Sequence, residues 1–130
     1  MKKVLLDTNA YSALLSGDES ILAIIAQAQT VYMSIFVLGE LHAGFKGGNR
    51  EEQNLQLLSL FLTKPTCEVL NGSEETAKIF GDLKNSLKKA GTPLPINDVW
   101  IAAHTIETGS TLISYDKHFS KITGLRQWPS

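Results

Sequence analysis

Short apolar runs alternate along the chain with longer amphipathic stretches. Val4-Leu5-Leu6 is a continuous apolar run, which is typical of a strand buried on both faces of a sheet. Between such runs, apolar residues recur every three or four positions, as in helices that pack on a sheet. The predicted strands are residues 2–6, 30–33, 67–70, 111–114 and 125–128. The predicted helices are residues 10–15, 20–29, 35–45, 51–62, 74–90 and 98–107.

This order of elements predicts the fold class. Strands that alternate with helices imply an α/β protein with a parallel sheet covered on both faces. Thr8 or Asn9 is a candidate cap for the first helix, and Asn97 for the last one. A chain of 130 residues is a usual length for one domain and long enough to bury a core without staples. We therefore expect a single domain, residues 1–130.

Composition excludes several classes of protein and leaves others open. The net charge of -1 argues against a general nucleic-acid coating protein, although a local basic rim around an acidic cleft remains compatible with it. The single cysteine, Cys67, excludes an internal disulfide and a multi-cysteine zinc site. The apolar run after Met1 is too short for a signal-peptide core, and none is long enough for a membrane span. We expect a cytoplasmic protein with no membrane partner.

Two acidic residues directly follow predicted strands. Asp7 ends the first apolar run, and Asp116 lies just beyond the strand that contains Leu112 and Ile113. In open α/β sheets, ligands bind outside the carboxyl ends of the strands. Aspartate is also common in turns and caps, so neither position indicates a site when it is taken alone.

Two further acidic residues fall on predicted helices, on the side that faces the core. The residues three and four positions from Glu40 are all apolar or small, so Glu40 interrupts the predicted buried stripe of its helix. Asp98 opens a helix and shares a face with Ile101 and Ala102. The alternatives are a Glu40 that reaches water from the edge of the stripe, and an Asp98 that complements the helix dipole.

The four acids make a stronger case together than singly. A charge on an apolar face costs roughly several kcal/mol unless it is paired or binds a metal. Crowded carboxylates repel one another, and a divalent cation removes that conflict. Oxygen ligands suit Mg²⁺ or Mn²⁺ rather than zinc or copper, and such an ion promotes phosphodiester hydrolysis by activating water. The predicted catalytic residues are Asp7, Glu40, Asp98 and Asp116.

Four stretches carry these acids in a fixed order. They are residues 5–9 (LLDTN), the helix of Glu40, residues 96–103 (INDVWIAA) and residues 112–119 (LISYDKHF). In this order and at these spacings, they resemble a PIN-domain ribonuclease, most closely the VapC-type toxins of toxin–antitoxin pairs. Each motif is weak alone, but the ordered set is specific and extends over nearly the whole chain.

The resemblance implies a three-layer α/β/α sandwich with a central, mostly parallel sheet of four to five strands. It also implies an endoribonuclease that depends on Mg²⁺ or Mn²⁺. In such a site Asp7 and Asp98 hold the metal most directly, whereas Glu40 and Asp116 complete the pocket directly or through water. No acidic position of the family pattern is lost in this chain.

The resemblance further implies supporting residues and partners. Asn9 follows the first acid of the family pattern, and Ser114 supplies the hydroxyl before the last one. The expected partners are an RNA substrate, a cognate antitoxin and a second copy of the chain in a homodimer. Lys117 and Lys121 flank Asp116 and are the best candidates for contacts to RNA phosphates. Apolar residues of the first two helices are compatible with a partner surface or with the core: Tyr11, Leu14, Leu15, Ile24 and Ile25.

Two other functions remain open at this point. A phosphatase with an Asp nucleophile after its first strand needs a second Asp two residues further on, where this chain has Asn9. A phosphoacceptor or binding domain would use the same acidic cleft to hold Mg²⁺ without hydrolysis. The three histidines, His42, His104 and His118, form no metal-binding pair at helical spacing, and only His118, near Asp116, is a candidate for the site.

Overall fold

A sheet of five parallel strands forms the centre of the structure, a computed structural model that describes residues 1–130. The strands are β1 (Lys3–Leu6), β2 (Thr30–Ser34), β3 (Cys67–Leu70), β4 (Thr111–Ile113) and β5 (Gln127–Trp128). The helices are α1 (Thr8–Leu15), α2 (Glu19–Gln27), α3 (Ile35–Phe45), α4 (Glu51–Leu62), α5 (Glu74–Lys89) and α6 (Ile96–Thr108). A short 3₁₀ helix, η1 (Lys117–Lys121), lies between β4 and β5. None of the helices has the length and apolar character that a membrane crossing requires.

The strand order β3-β2-β1-β4-β5 explains why the first strand is so apolar. β1 is the middle strand, with β2 on one side and β4 on the other, and all pairings are parallel. Val4, Leu5 and Leu6 have no exposed surface. The prediction of a strand buried on both faces is therefore confirmed, and the sheet is wholly parallel.

The order in which the chain adds strands to the sheet determines on which face each helix lies. From β1 the chain moves outward to β2 and β3, then crosses back to β4 and β5 on the other side. Because crossover connections are right-handed, opposite directions of travel put the helices on opposite faces. The predicted three-layer α/β/α sandwich is confirmed. The direction in which successive strands are added to the sheet reverses between β1 and β4. At such a reversal the carboxyl ends of the two strands border a crevice.

A buried hydroxyl ties together two helices that border this crevice. Ser34, at the end of β2, caps α3 by accepting a hydrogen bond from the Phe36 amide at 3.1 Å. Its Oγ also lies 2.8 Å from Nδ1 of His104, which is fully buried in α6. The aromatic rings of Phe36 and Trp100 stack at 5.0 Å and join the same two helices. The relative position of α3 and α6 is thus fixed at several points.

The structure corrects two predicted helix starts. The cap of α1 is Asp7, not Thr8 or Asn9, because an Oδ1 acceptor on a residue with extended backbone satisfies the Ala10 amide at 2.8 Å. The cap position of α6 is Pro95, so Asn97 lies inside the first turn and does not cap it. Both helices begin earlier than the sequence pattern predicts.

The predicted partner surface on the first two helices is mostly core. Tyr11 is fully buried, and its ring packs edge-on against Phe61 at a centroid distance of 5.3 Å. Leu15, by contrast, is 44% exposed. Leu14, Ile24 and Ile25 are partly buried and pack against the core. Only the outer edge of this region is left for a partner.

Candidate active site

One cleft at the carboxyl edge of the sheet contains all four predicted catalytic acids. It has a volume of about 280 Å³ and lies at the reversal between β1 and β4. Its lining is Asp7, Thr8, Asn9, Glu40, Pro95, Asn97, Asp98, Ile101 and Asp116. Only Pro95 and Ile101 of these nine residues are apolar, so the cleft is suited to polar or charged ligands.

Asp7 is the most deeply placed of the four acids. It is 6% exposed, and its Oδ1 accepts a hydrogen bond from the Ala10 amide. Burial raises the pKa of Asp7. Hydrogen bonds from Ser114 and Ala10 act against this shift, whereas the charges of Asp98 and Asp116 add to it. The charged form of Asp7 is therefore unfavourable in the folded protein unless a cation binds in the cleft.

Glu40 lies at the edge of the buried stripe of α3 rather than within it. The buried residues of this helix are Val37, Leu38 and Leu41, whereas Glu40 itself is only partly buried. The carboxylate is nevertheless held, because the Thr8 hydroxyl donates a hydrogen bond to its Oε1 at 2.5 Å. Thr8 thus connects the end of β1 to the acid on α3.

His118 lies between the other two acids. Its Nε2 is 2.8 Å from Oδ2 of Asp98, and its Nδ1 is 2.8 Å from Oδ1 of Asp116. The Nε2 contact is short but is not aligned as a hydrogen bond. Burial raises the pKa of Asp98, and the neighbouring His118 partly offsets this effect. No Lys or Arg makes an ion pair with any of the four acids.

The Ser114 hydroxyl links the first and last acids. It is buried directly after β4, and its Oγ accepts a hydrogen bond from the Asp116 amide at 3.0 Å. The same hydroxyl acts to lower the pKa of Asp7, against the effect of burial. A small hydroxyl residue at this position can serve both neighbours at once, since it donates one hydrogen bond and accepts another.

The structure places two predicted RNA-contact residues outside the cleft and adds two residues that contact the acids. Lys117 and Lys121 are exposed at the two ends of η1 and do not line the cleft, so their contact with RNA remains a prediction. The sequence pattern predicts Thr8 only as a cap, although a hydroxyl next to a predicted ligand is a usable signal. The contacts of His118 with two acids could not be read from the sequence, because they depend on how η1 turns.

The donors of the cleft fit a hard divalent cation. Carboxylate, amide and hydroxyl oxygens converge on it, and no thiol is present. The side chains do not form a closed cage, since no three His, Cys, Asp or Glu groups converge as a complete set of metal ligands. Mg²⁺ needs no such cage, because it keeps several waters and binds through few carboxylates together with substrate phosphate.

The raised pKa of Asp7 predicts a pH-dependent stability difference between the metal-free protein and its Asp7→Asn variant. At neutral pH the variant should unfold at the higher temperature, because it lacks a carboxylate whose burial is unfavourable. As the pH falls, folded Asp7 takes up a proton before the unfolded chain does, so this advantage shrinks. It should vanish below the ordinary pKa of 3.8, where Asp7 is protonated in both states.

The measurement is the difference in unfolding temperature between the two proteins, with chelator present, from pH 7 to pH 3.5. Burial lowers the pKa of His104 from its ordinary value of 6.5, so the stability of both proteins decreases as the pH falls below 6.5. Because His104 is present in both proteins, this effect cancels in the difference. A difference that stays constant with pH would show that Asp7 does not carry a burial penalty.

The chain is similar to a known family and to several known proteins. A family model described as "PIN domain" matches residues 4–125. Ribonuclease VapC1 of Haemophilus influenzae strain R2866 is 32% identical over 129 residues, which covers 95% of this chain and 94% of that protein. Ribonuclease VapC2 of Rickettsia felis is 31% identical over 105 residues, covering 80% of this chain and 77% of that protein.

Solved structures extend the likeness to the fold. A chain in the crystal structure of VapBC2 from Rickettsia felis, bound to a DNA fragment from its promoter, has a TM-score of 0.84 and 29% identity, with 96% of each chain covered. A chain in the DNA-bound VapBC structure from Salmonella typhimurium has a TM-score of 0.87 and 27% identity, with 98% of this chain and 97% of that chain covered. The likeness therefore extends over nearly the whole chain.

Proposed function

This chain belongs to the PIN-domain family, and from that premise we propose that it is a VapC-type endoribonuclease, the toxin of a type II toxin–antitoxin pair. The observation that carries the proposal is a single cleft, at the reversal of the sheet, in which four carboxylates meet without a Lys or Arg partner. The names of the relatives, Ribonuclease VapC1 and VapC2, support the reaction class. The nuclease unit is one domain, residues 1–130, because all five strands share one sheet.

The catalytic residues have distinct duties in this proposal. Asp7 and Asp98 hold an Mg²⁺ or Mn²⁺ ion most directly, and Glu40 and Asp116 complete the site directly or through water. When bound, the cation activates water and stabilises the leaving oxygen of the phosphodiester. Thr8 keeps the Glu40 carboxylate turned towards the cleft by its hydrogen bond at 2.5 Å.

The substrate is RNA, which approaches a cleft that is acidic inside. The exposed Lys117 and Lys121 at the ends of η1 supply positive charge near Asp116 and can attract RNA phosphates. Ser114 and Asn9 keep polar groups around the acids, and the Ser114 hydroxyl holds the backbone amide of Asp116. The acids thus receive the cation while the rim receives the nucleic acid.

Two protein partners complete the proposal. The solved relatives are VapBC toxin–antitoxin assemblies, which supports a cognate antitoxin for this chain. A homodimer is supported by an apolar face on α6, where Ile96 is 56% exposed and lies one turn before the half-buried Trp100. Trp100 stacks on Phe36 and on Phe80, at centroid distances of 5.0 Å and 3.8 Å, so the exposed Ile96 lies next to a cluster of aromatic rings.

Expression of the chain alone tests the toxin function. We expect growth arrest within the first generations after induction, together with new RNA 5′ ends at a small number of positions. The Asp7→Ala variant should produce neither effect, because the cation loses a direct ligand. Co-expression of the antitoxin encoded beside the gene should restore growth.

The same experiment separates the other functions of an acidic cleft. A phosphatase with an Asp nucleophile would yield a covalent phosphate on Asp7 and leave total RNA intact. A binding domain without hydrolysis would take up Mg²⁺ and leave RNA intact with no covalent adduct. Intact RNA in cells that accumulate folded wild-type chain would contradict the nuclease proposal.

A further inference from the structure

The loop that carries Asp116 leaves the sheet at Ser114. The last ladder bond runs from the Ser114 amide to the Trp128 carbonyl at 2.9 Å. Beyond this point the loop has no strand partner. The carbonyl oxygens of Ser114 and Asp116 instead accept hydrogen bonds from one group, Nε2 of Gln127, at 2.9 Å and 2.8 Å.

The orientation of the Gln127 amide is forced by its two partners. Both are carbonyl oxygens, which only accept hydrogen bonds, so the amide nitrogen and not the amide oxygen must face them. The two N–H groups and the two acceptors match in number. Gln127 is half-buried in β5, opposite Leu112 of β4, and its side chain extends along the sheet to reach the loop.

These contacts fix the direction in which the Asp116 side chain leaves the loop. Gln127 holds the carbonyls on both sides of Tyr115, and the Ser114 hydroxyl holds the Asp116 amide at 3.0 Å. Both backbone polar groups of Asp116 are therefore occupied, while its carboxylate remains 41% exposed at the cleft. Gln127 itself does not line the cleft, so any effect on the reaction passes through Asp116.

We infer that Gln127 is a positioning residue for the nuclease reaction and acts by aiming Asp116 into the cleft. This inference rests on the proposed function, because it concerns one of its catalytic acids. Groups that orient catalytic ligands from behind typically contribute about 10- to 100-fold to activity or metal affinity. Gln127 belongs to no sequence motif, so the pattern of residues does not indicate this role.

Two variants test the amide without emptying its place. Gln127→Met keeps the length and approximate volume of the side chain but removes both donors. We expect kcat for RNA cleavage to fall about 10- to 100-fold, with KM changed less than about threefold, because RNA binding does not involve Gln127. Gln127→Glu should lose more, since its carboxylate would face two carbonyl oxygens. Thr63→Val is the matched control: it removes a remote, exposed hydrogen bond from a side chain to the Leu60 carbonyl.

Double variants, measured in single turnovers, separate positioning from general damage. In an Asp116→Asn background, Gln127→Met should cost less than about threefold, since the aimed carboxylate is already gone. In a Glu40→Gln background it should keep its full cost. Equal costs in both backgrounds, or a kcat of Gln127→Met within threefold of wild type, would overturn the inference.

Hydrogen exchange tests the same inference in the absence of activity. In the metal-free protein, Gln127→Met should speed amide exchange at Asp116 and His118 by about tenfold or more and leave the amides of β1 unchanged, because only the loop loses its anchor. Unchanged exchange at both amides would overturn the inference. A wild-type chain that does not cleave RNA would instead overturn the proposed nuclease function, and the exchange result would still decide the role of Gln127.

Discussion

Asp7→Asn should lower RNA cleavage by about 100-fold or more, because a bound cation contributes several kcal/mol to transition-state stabilisation and each 1.36 kcal/mol is a factor of ten in rate. Asn keeps the size of Asp7 and an oxygen that can still accept the hydrogen bond from the Ala10 amide. The cap of α1 therefore survives while the charge is lost. The measurement is kcat/KM on an RNA substrate at saturating Mg²⁺.

A matched variant separates the loss of a ligand from the loss of a charge. Asp82→Asn removes one negative charge from the exposed surface of α5 and should leave kcat/KM within about twofold, because exposed charges have weak effects. Circular dichroism of both variants should match wild type. If Asp7→Asn kept more than a tenth of the wild-type kcat/KM, Asp7 would not be a direct ligand.

The sheet could be predicted from the sequence because a strand that is buried on both faces is an uninterrupted apolar run. Val4, Leu5 and Leu6 form a run without polar interruption, and the structure gives all three zero exposure. β5 was harder to delimit. Residues 125–128 were predicted, but only Gln127 and Trp128 pair with β4, since an edge strand has one neighbour and little apolar pattern.

The convergence of the acids was only partly readable. Asp7 and Asp116 follow strands, and the ends of parallel strands meet at one edge, so their proximity follows from the fold class. The pattern left two positions open for Glu40, within the buried stripe or at its edge, and the structure has it at the edge with Thr8 as its hydrogen-bond partner. Side-chain partners across the cleft depend on backbone turns of a few residues, and the hydrophobic pattern does not encode these.

His118 shows the same limit from another direction. Its place beside Asp116 in the chain suggested a local role, whereas its ring also reaches Asp98 on α6 at 2.8 Å. That second contact arises because η1 follows Asp116 directly and brings the ring of His118 to Asp98. A contact between residues twenty positions apart has no signature in a single sequence.

Removal of divalent cations should stop RNA cleavage by the wild-type protein, and Mg²⁺ or Mn²⁺ should restore it. The same ions should stabilise the fold, because a ligand that binds only the folded state adds about 2.7 kcal/mol to the free energy of unfolding at 100 times its dissociation constant. The measurement is urea unfolding with chelator and then with increasing Mn²⁺. A protein that cleaves RNA equally well with chelator present would contradict the metal mechanism.

Comparison with Asp7→Asn turns this prediction into a test of sign. With chelator at neutral pH, the variant should be the more stable protein, because burial raises the pKa of Asp7 and makes its charge unfavourable in the fold. With saturating Mn²⁺, wild type should be the more stable one, since only wild type retains a full set of ligands. A purely structural role for Asp7 predicts the same order of stability in both conditions. A reversal of that order when metal is added would show that the Asp7 carboxylate destabilises the metal-free fold and stabilises the metal-bound one, as expected of a metal ligand.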